Sequence, residues 1–150
     1  MDVERLLADE EAAWQDLHGL FHSVPDGRFE EPGVTPEGWS PKDVMFHVGA
    51  WLAECGARLE QIRMGTFDEN DELTDQATDQ KNAEWFEISR TLDISSVRAE
   101  LHAARARMMK EWSELPQITP EAWSWFEEAG PIHYRVHGQA LSRWLGGNGA

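Results

Sequence analysis

The chain has one cysteine, few basic residues and no long apolar run, and each shortage excludes a class of protein. Its single cysteine, Cys55, rules out an intramolecular disulfide. Only 13 of its 150 residues are Lys or Arg, against 28 Asp and Glu. The resulting formal net charge of −15 repels phosphate backbones and anionic lipids, so we expect no nucleic-acid partner and no membrane surface as partner.

The absence of a long apolar run also indicates where in the cell the protein is expected to be. No stretch approaches the ~20 apolar residues of a membrane-spanning helix. The acidic N-terminal segment lacks the basic and apolar regions of a signal peptide. We therefore expect a cytoplasmic protein, and its length fits one domain over residues 1–150.

Apolar residues recur at helical spacing along most of the chain. This spacing predicts three helices over residues 3–23, 40–63 and 79–90. A fourth helix is predicted to begin at 94 and to end before Pro116. A short turn is predicted after Thr119-Pro120, and Gly130-Pro131 is predicted to open a last helix that runs to 145. Residues 64–78 are acidic and lack this spacing, so they are predicted to form an exposed loop. Because no strand pattern is present, we predict an all-α fold, an antiparallel four-helix bundle with one extra short helix.

Two of these helices have informative details. The second has a clear start, since Ser40 can cap it, Pro41 suits its first position and Asp43 follows three residues after the cap. On the first helix, Glu10 and Glu11 are predicted to lie off the apolar face.

Three of the six histidines are predicted to face the core. His133 and His137 are four residues apart on the last helix and share its apolar face, while His47 lies towards one edge of the apolar stripe of the second helix. One inward histidine is usually a hydrogen-bonded core residue, but three unpartnered rings would cost ~3–9 kcal/mol. Because that rivals the ~5–15 kcal/mol stability of a domain, shared coordination of one divalent metal ion is the better interpretation.

The other histidines are assigned mainly to structure. His18 lies within the apolar stripe of the first helix and stays a candidate to support the metal ligands. His22 falls off that stripe, in the last turn, where a cation suits the helix dipole. His102 lies outside the stripe of its helix and is predicted to be solvated.

Several further side chains have both a functional and a structural interpretation. Arg105 is either a solvent-exposed arginine or a ligand for a substrate carboxylate. Trp51 and Trp144 belong either to ordinary core packing or to the wall of an apolar pocket. Cys55 is predicted to be a buried, inert thiol. Tyr134 points away from the two histidines that flank it and is not assigned as a catalytic acid.

Two segments resemble one known superfamily. GWSPKDVMFHVGAWLAE at 38–54 resembles the second-helix motif of the DinB/YfiT-like superfamily, and PIHYRVHGQALSRWL at 131–145 resembles its last helix. The resemblance implies a DinB/YfiT-like bundle with an up-down-down-up helix order, often as a homodimer. It implies that His47, His133 and His137 are the metal ligands. Many mycothiol-linked members, related to the maleylpyruvate isomerases, have glutamate where this chain has His133, so the three-histidine branch is the better match.

Three imidazoles leave a divalent ion with its full charge and an open coordination position. Zn, Ni, Mn and Fe all fit this ligand set. Such an ion can activate a water or a low-molecular-weight thiol, so the first hypothesis is a metal-dependent hydrolase or a thiol S-transferase that uses bacillithiol or mycothiol on a small-molecule substrate. The alternative is a non-catalytic DinB-like stress or small-molecule-binding protein.

Overall fold

The computed structural model describes residues 1–71 and 73–148, and these residues contain helices and no strand. The expectation of an all-α fold is therefore confirmed. The helices, in chain order, are α1 (Val3–Ser23), α2 (Pro41–Met64), α3 (Asp75–Ser89), α4 (Ile94–Ser113), α5 (Pro120–Glu127) and α6 (His133–Asn148). A 3₁₀ turn (Asp26–Arg28) follows α1, and a π-helical turn (Glu128–Ile132) joins α5 to α6.

The predicted start of α2 is confirmed in its hydrogen bonds. The Ser40 side chain accepts a hydrogen bond from the Asp43 backbone N–H, and the Asp43 carboxylate accepts one from the Ser40 backbone N–H at 2.8 Å. Pro41 occupies the first turn, where its missing N–H leaves no helical hydrogen bond unmade. Local sequence alone therefore fixes where α2 begins.

Two predicted boundaries are wrong. Residues 75–78 belong to α3 rather than to the loop, because the Thr74 side chain accepts a hydrogen bond from the Ala77 backbone N–H and starts the helix there. Gly130-Pro131 does not open α6. Gly130 instead lies inside the π-helical turn with φ −93° and ψ −108°, which kinks one nearly continuous helical path, and α6 starts at His133.

Helix α3 carries the chain back along α2. The Trp51 indole N–H donates to the Asn82 side chain at 3.0 Å, and the Ser89 hydroxyl donates to Asp43, at the start of α2, at 2.7 Å. Helix α4 consequently begins where α2 begins, and the Lys42 ammonium donates to the Leu92 carbonyl at 2.6 Å. Helices α2 and α4 therefore run parallel, which corrects the prediction of a wholly antiparallel bundle.

The remaining pairs complete this arrangement. Helices α1 and α6 also run parallel, since Gly130 lies against Glu10 and Gly138 against Leu20. Helix α1 runs opposite to α4, because Glu10 pairs with Arg105 and the Trp14 ring contacts that of His102, earlier in α4. The bundle thus consists of two parallel pairs, α1 with α6 and α2 with α4, and the two pairs run in opposite directions.

The core lies between these long helices and is dominated by aliphatic and aromatic side chains. Fully buried members come from every long helix, including Leu17, Leu52, Met108 and Leu141. No helix in the described ranges combines the length and the apolar character that a membrane crossing requires.

Candidate metal centre

The fold brings His47, His133 and His137 together at one point of the core. The Nε2 atoms of His47 and His133 are 3.0 Å apart, and those of His137 and His133 are 2.9 Å apart. The three ring centroids lie 4.5–4.8 Å from one another. His47 is 7% exposed, and the other two are partly buried. The three residues form the one candidate metal-binding group found among the described residues.

The kink between α5 and α6 helps to place two of these rings. His133 is the first residue of α6, directly after the π-helical turn, and His137 follows one turn later on the same face. His47 reaches them from the middle of α2. Its ring is packed by Trp39, whose centroid lies 4.7 Å away, and Trp39 is stacked in turn on Phe86 of α3.

Hydrogen bonding alone cannot satisfy this cluster. The Nε2 atom of a neutral imidazole either donates one hydrogen bond or accepts one. His133 Nε2 nevertheless faces the Nε2 atoms of both His47 and His137. The single proton or lone pair on this atom can form only one well-aligned hydrogen bond, so the two contacts must share it and are weakened, whereas a cation between the rings would be bound by all three lone pairs.

The separations suit a shared ion. Two imidazole nitrogens that each lie ~2.1 Å from one ion are about 3.0–3.4 Å apart for ligand angles between 90° and 109°. The observed 3.0 Å lies at the short limit of this range, and the observed 2.9 Å lies just below it. The donor set, three Nε2 atoms converging on one point, is therefore one that a divalent metal ion fits.

The surroundings keep all three rings neutral at pH 7, which is the form that binds metal. Burial lowers the pKa of His47 to about 3, and the neighbouring His137 lowers it further in the same direction. Burial lowers the pKa of His137 to about 4, although Glu37 acts against this shift. The pKa of His133 lies well below its ordinary value for the same reason, with repulsion from both partners added.

The outer nitrogens of two rings depart from common metal sites. Metal-bound histidines generally donate their second N–H to a carboxylate or a carbonyl, which holds the ring and raises its basicity. The buried Nδ1 atoms of His47 and His133 have no such partner among the described residues. Packing by Trp39, rather than a hydrogen bond from Nδ1, therefore holds the outer side of the His47 ring.

A cavity of about 860 Å³ opens beside the cluster. His47 and His133 line it together with parts of α3 and α5 and with Phe67, Asp68, Glu69, Asp71 and Leu73. Trp51 lines this cavity, which favours the pocket wall over ordinary core packing among its two interpretations. Trp144 does not line it. It is buried instead beneath the guanidinium of Arg28, which lies 4.3 Å from its ring.

A buried polar network near the start of α1 was not predicted. Glu10 was expected to lie off the apolar face, but it is fully buried. It accepts hydrogen bonds from Arg105 at 2.6 and 2.9 Å and from the Tyr134 hydroxyl at 2.8 Å. Neither interpretation of Arg105 therefore holds, because its guanidinium is bound to Glu10 and Glu11. The position of Glu10, three residues before Ala13 and four before Trp14, was the available signal.

The other histidines stay outside the cluster. His18 is partly buried and lies with its ring 5.3 Å from that of His102, so the two form a separate pair on α1 and α4. His102 and His22 are both exposed, as predicted. Cys55 is buried, as predicted, and burial raises the pKa of its thiol, which disfavours the reactive thiolate.

Comparison with known proteins adds no family assignment to this geometry. No protein-family model matches the chain, and neither a curated protein nor a solved structure matches it. The DinB/YfiT-like resemblance stays a prediction carried by the segments 38–54 and 131–145. The three converging imidazoles alone consequently support a metal centre, and these comparisons assign the chain to no family.

Proposed function

We propose that this protein is a metal-dependent enzyme of the DinB/YfiT-like superfamily in which His47, His133 and His137 hold one divalent ion. The observation that carries the proposal is the convergence of three neutral Nε2 atoms, two pairs of them 2.9 and 3.0 Å apart, beside a cavity large enough for a small molecule. The parallel pairs α1/α6 and α2/α4 support the superfamily assignment, since they correspond to an up-down-down-up order.

When bound there, a divalent ion would lower the pKa of a water to ~7 or deprotonate a thiol, which supplies the nucleophile for hydrolysis or for S-transfer. The protein's own contributions are positional. His47 and His133 face the cavity, so a substrate held in it lies next to the ligand set. Trp39 and the core around the rings exclude water from their far side. The physiological ion is proposed to be Zn, Ni, Mn or Fe.

The decisive experiment is metal analysis of protein purified without a polyhistidine tag. We expect about one divalent ion per chain. The separate substitutions His47→Ala and His137→Ala are each expected to lose most of this metal, because two imidazoles hold an ion far less tightly than three. His22→Ala is the matched control, since this exposed histidine should leave the metal content unchanged. Full metal retention in both site variants would refute the proposal.

A non-catalytic small-molecule-binding protein is the second candidate. It is favoured by the unpartnered Nδ1 atoms of His47 and His133, because the missing outer hydrogen bonds weaken the ligand basicity that a catalytic ion needs. Incubation of the metal-loaded protein with electrophiles plus bacillithiol, mycothiol or glutathione, and with ester substrates, separates the two. Turnover lost in His137→Ala supports the enzyme; metal retention without turnover supports the binding protein.

The assembly and location of the protein belong to the same proposal. We propose a cytoplasmic homodimer that acts on a small molecule and has no nucleic-acid or membrane partner. Light scattering coupled to size-exclusion chromatography distinguishes a mass near 34 kDa from the 17.1 kDa of one chain, since twice the chain mass is about 34 kDa.

A further inference from the structure

We infer that the cavity beside His47 and His133 binds a cationic substrate with an apolar body, such as an organic amine or a quaternary ammonium compound. This inference names the substrate class of the proposed site and so rests on the proposed function. It is supported by the charged side chains and the aromatic rings that line the cavity, which are separate from the three histidines that would hold the metal.

Carboxylates supply all the formal charge of the described lining. The side chains of Asp68, Glu69, Asp71, Glu121 and Glu128 line the cavity, and no described Lys or Arg lines it. A cavity with one sign of charge and low-dielectric walls raises the local concentration of oppositely charged ligands. The lining therefore attracts cations and repels anions.

Most of these carboxylates are not neutralised by the protein. The exception is Asp71, whose carboxylate is neutralised because it accepts a hydrogen bond from the Arg58 guanidinium at 3.1 Å. The described residues provide no ion pair to Asp68, Glu69, Glu121 or Glu128. The polar contact of Glu128 is with the Ser124 hydroxyl at 3.4 Å, and Glu121 has none with the residues that the structure describes. The carboxylates of Glu121 on α5 and Glu128 at the start of the π-helical turn, seven residues apart in the chain, are thus available to a ligand.

Aromatic rings on the cavity wall indicate an organic cation rather than a metal ion. Trp51 and Phe67 line the cavity, and so does Trp125. The Trp51 ring is fixed by its hydrogen bond to Asn82 and by edge contact with Trp85 at 5.0 Å, so it presents a rigid surface. Tryptophan faces attract alkylammonium groups, whereas small inorganic cations prefer oxygen ligands.

The protein already uses one of these rings in this way. The Arg58 guanidinium lies 5.4 Å from the Trp125 ring centroid, and Arg58 is also held by Glu54 at 3.3 Å and by Asp71. This internal cation occupies an aromatic and acidic environment of the kind proposed for the ligand. It is held in place by its own partners, so it does not reverse the charge of the lining.

The test compares three probes that share a phenyl ring and carry charges of +1, 0 and −1: benzyltrimethylammonium, N-benzylacetamide and phenylacetate. Their affinities are measured by isothermal titration calorimetry, with quenching of tryptophan fluorescence as a second readout. We expect the cation to bind at least about fivefold more tightly than the neutral probe, and phenylacetate to bind most weakly.

Matched variants locate the effect. Glu121→Gln combined with Glu128→Gln is expected to weaken binding of the cation by about three- to tenfold and to leave N-benzylacetamide unchanged. Glu4→Gln combined with Glu100→Gln alters the net charge equally at exposed positions outside the cavity, and is expected to have less than about a 1.5-fold effect.

The outcomes separate this inference from the proposed function. If the wild type and His137→Ala hold equal amounts of metal, or none, while both still prefer the cationic probe, the proposed function is refuted and only the cavity's preference for organic cations is retained. Normal metal content with equal affinity for the three probes, or with no binding of the cation, overturns the inference alone. Displacement of benzyltrimethylammonium by equimolar Mg²⁺ also overturns it, because the carboxylates would then hold inorganic cations without help from the rings.

Discussion

The neutral histidine cluster should make the metal-free protein unusually sensitive to mild acid. His47 and His137 have folded-state pKa values of about 3 and about 4 because burial disfavours their charged forms. In the unfolded chain both return to ~6.5. Below pH 6.5 the unfolded state therefore binds more protons than the folded state, and the free energy of unfolding falls as the pH falls. The loss begins near pH 6.5 and continues down to about pH 4, where His137 becomes protonated in the folded protein as well.

The magnitude follows from these values. Each proton bound only by the unfolded state costs ~1.4 kcal/mol per pH unit. At pH 5, which is 1.5 units below the unfolded value, each of the two histidines costs about 2 kcal/mol, or about 4 kcal/mol together. His133 acts in the same direction, since its pKa is also lowered by burial. The combined loss is a large share of the ~5–15 kcal/mol stability of a typical domain.

Urea unfolding at pH 7.5 and pH 5.0 in the presence of a chelator measures this loss. Ion pairs elsewhere also respond to acid, including Asp9 with Arg135, so the wild type alone does not isolate the histidines. The variant His47→Gln/His137→Gln keeps every carboxylate and removes the two titrating rings. We expect the difference in unfolding free energy between the two pH values to be smaller in the variant by about 4 kcal/mol. An equal difference in both proteins would refute the argument that the rings are buried and neutral.

Three further predictions concern the scaffold and the thiol. Glu10→Ala should lower the free energy of unfolding in urea by about 3–5 kcal/mol, because it leaves the Tyr134 hydroxyl without its acceptor and breaks a buried ion pair. Asp9→Ala, at an exposed ion pair, should lower it by less than about 1 kcal/mol. Equal losses in the two variants would contradict the buried network. Ser40→Ala should cost about 1–2 kcal/mol through loss of the α2 cap, measured in the same way, and an unchanged stability would show that the cap does not matter. Cys55 should fail to react with a thiol reagent such as DTNB at pH 8 in the folded protein and react fully in urea, while rapid reaction of the native thiol would contradict its burial.

The parts of the fold that depend on neighbours in sequence were predictable. The limits of α1 and the cap of α2 follow from periodicity, capping side chains and proline, which act within a few residues. His133 and His137 face the same way because four residues make about one helical turn. The start of α3 was missed because its weakly apolar first turn gives little periodic signal, even though Thr74 caps it.

The features that depend on distant contacts were not predictable in this way. Glu10 appears as a surface acid in the sequence, since nothing local shows that Arg105 and Tyr134 will surround it. The parallel course of α2 and α4 depends on α3 returning along α2, which is a matter of packing rather than of spacing. The same holds for the acidic, aromatic lining of the cavity, which combines residues of α2, α3 and α5 with others from the segment between α2 and α3, such as Phe67 and Asp68.

The histidine cluster shows which features the local sequence determines and which ones depend on tertiary packing. The sequence determined that His133 and His137 share a face, because helical geometry is set by local backbone hydrogen bonds. Only the tertiary structure decided that His47, which lies at the edge of the α2 apolar stripe, completes the set, with its Nε2 atom 3.0 Å from that of His133 across 86 residues of chain. That closeness results from the crossing of α2 and α6 and from the kink at Gly130, and such long-range packing is determined by the whole core rather than by any one segment.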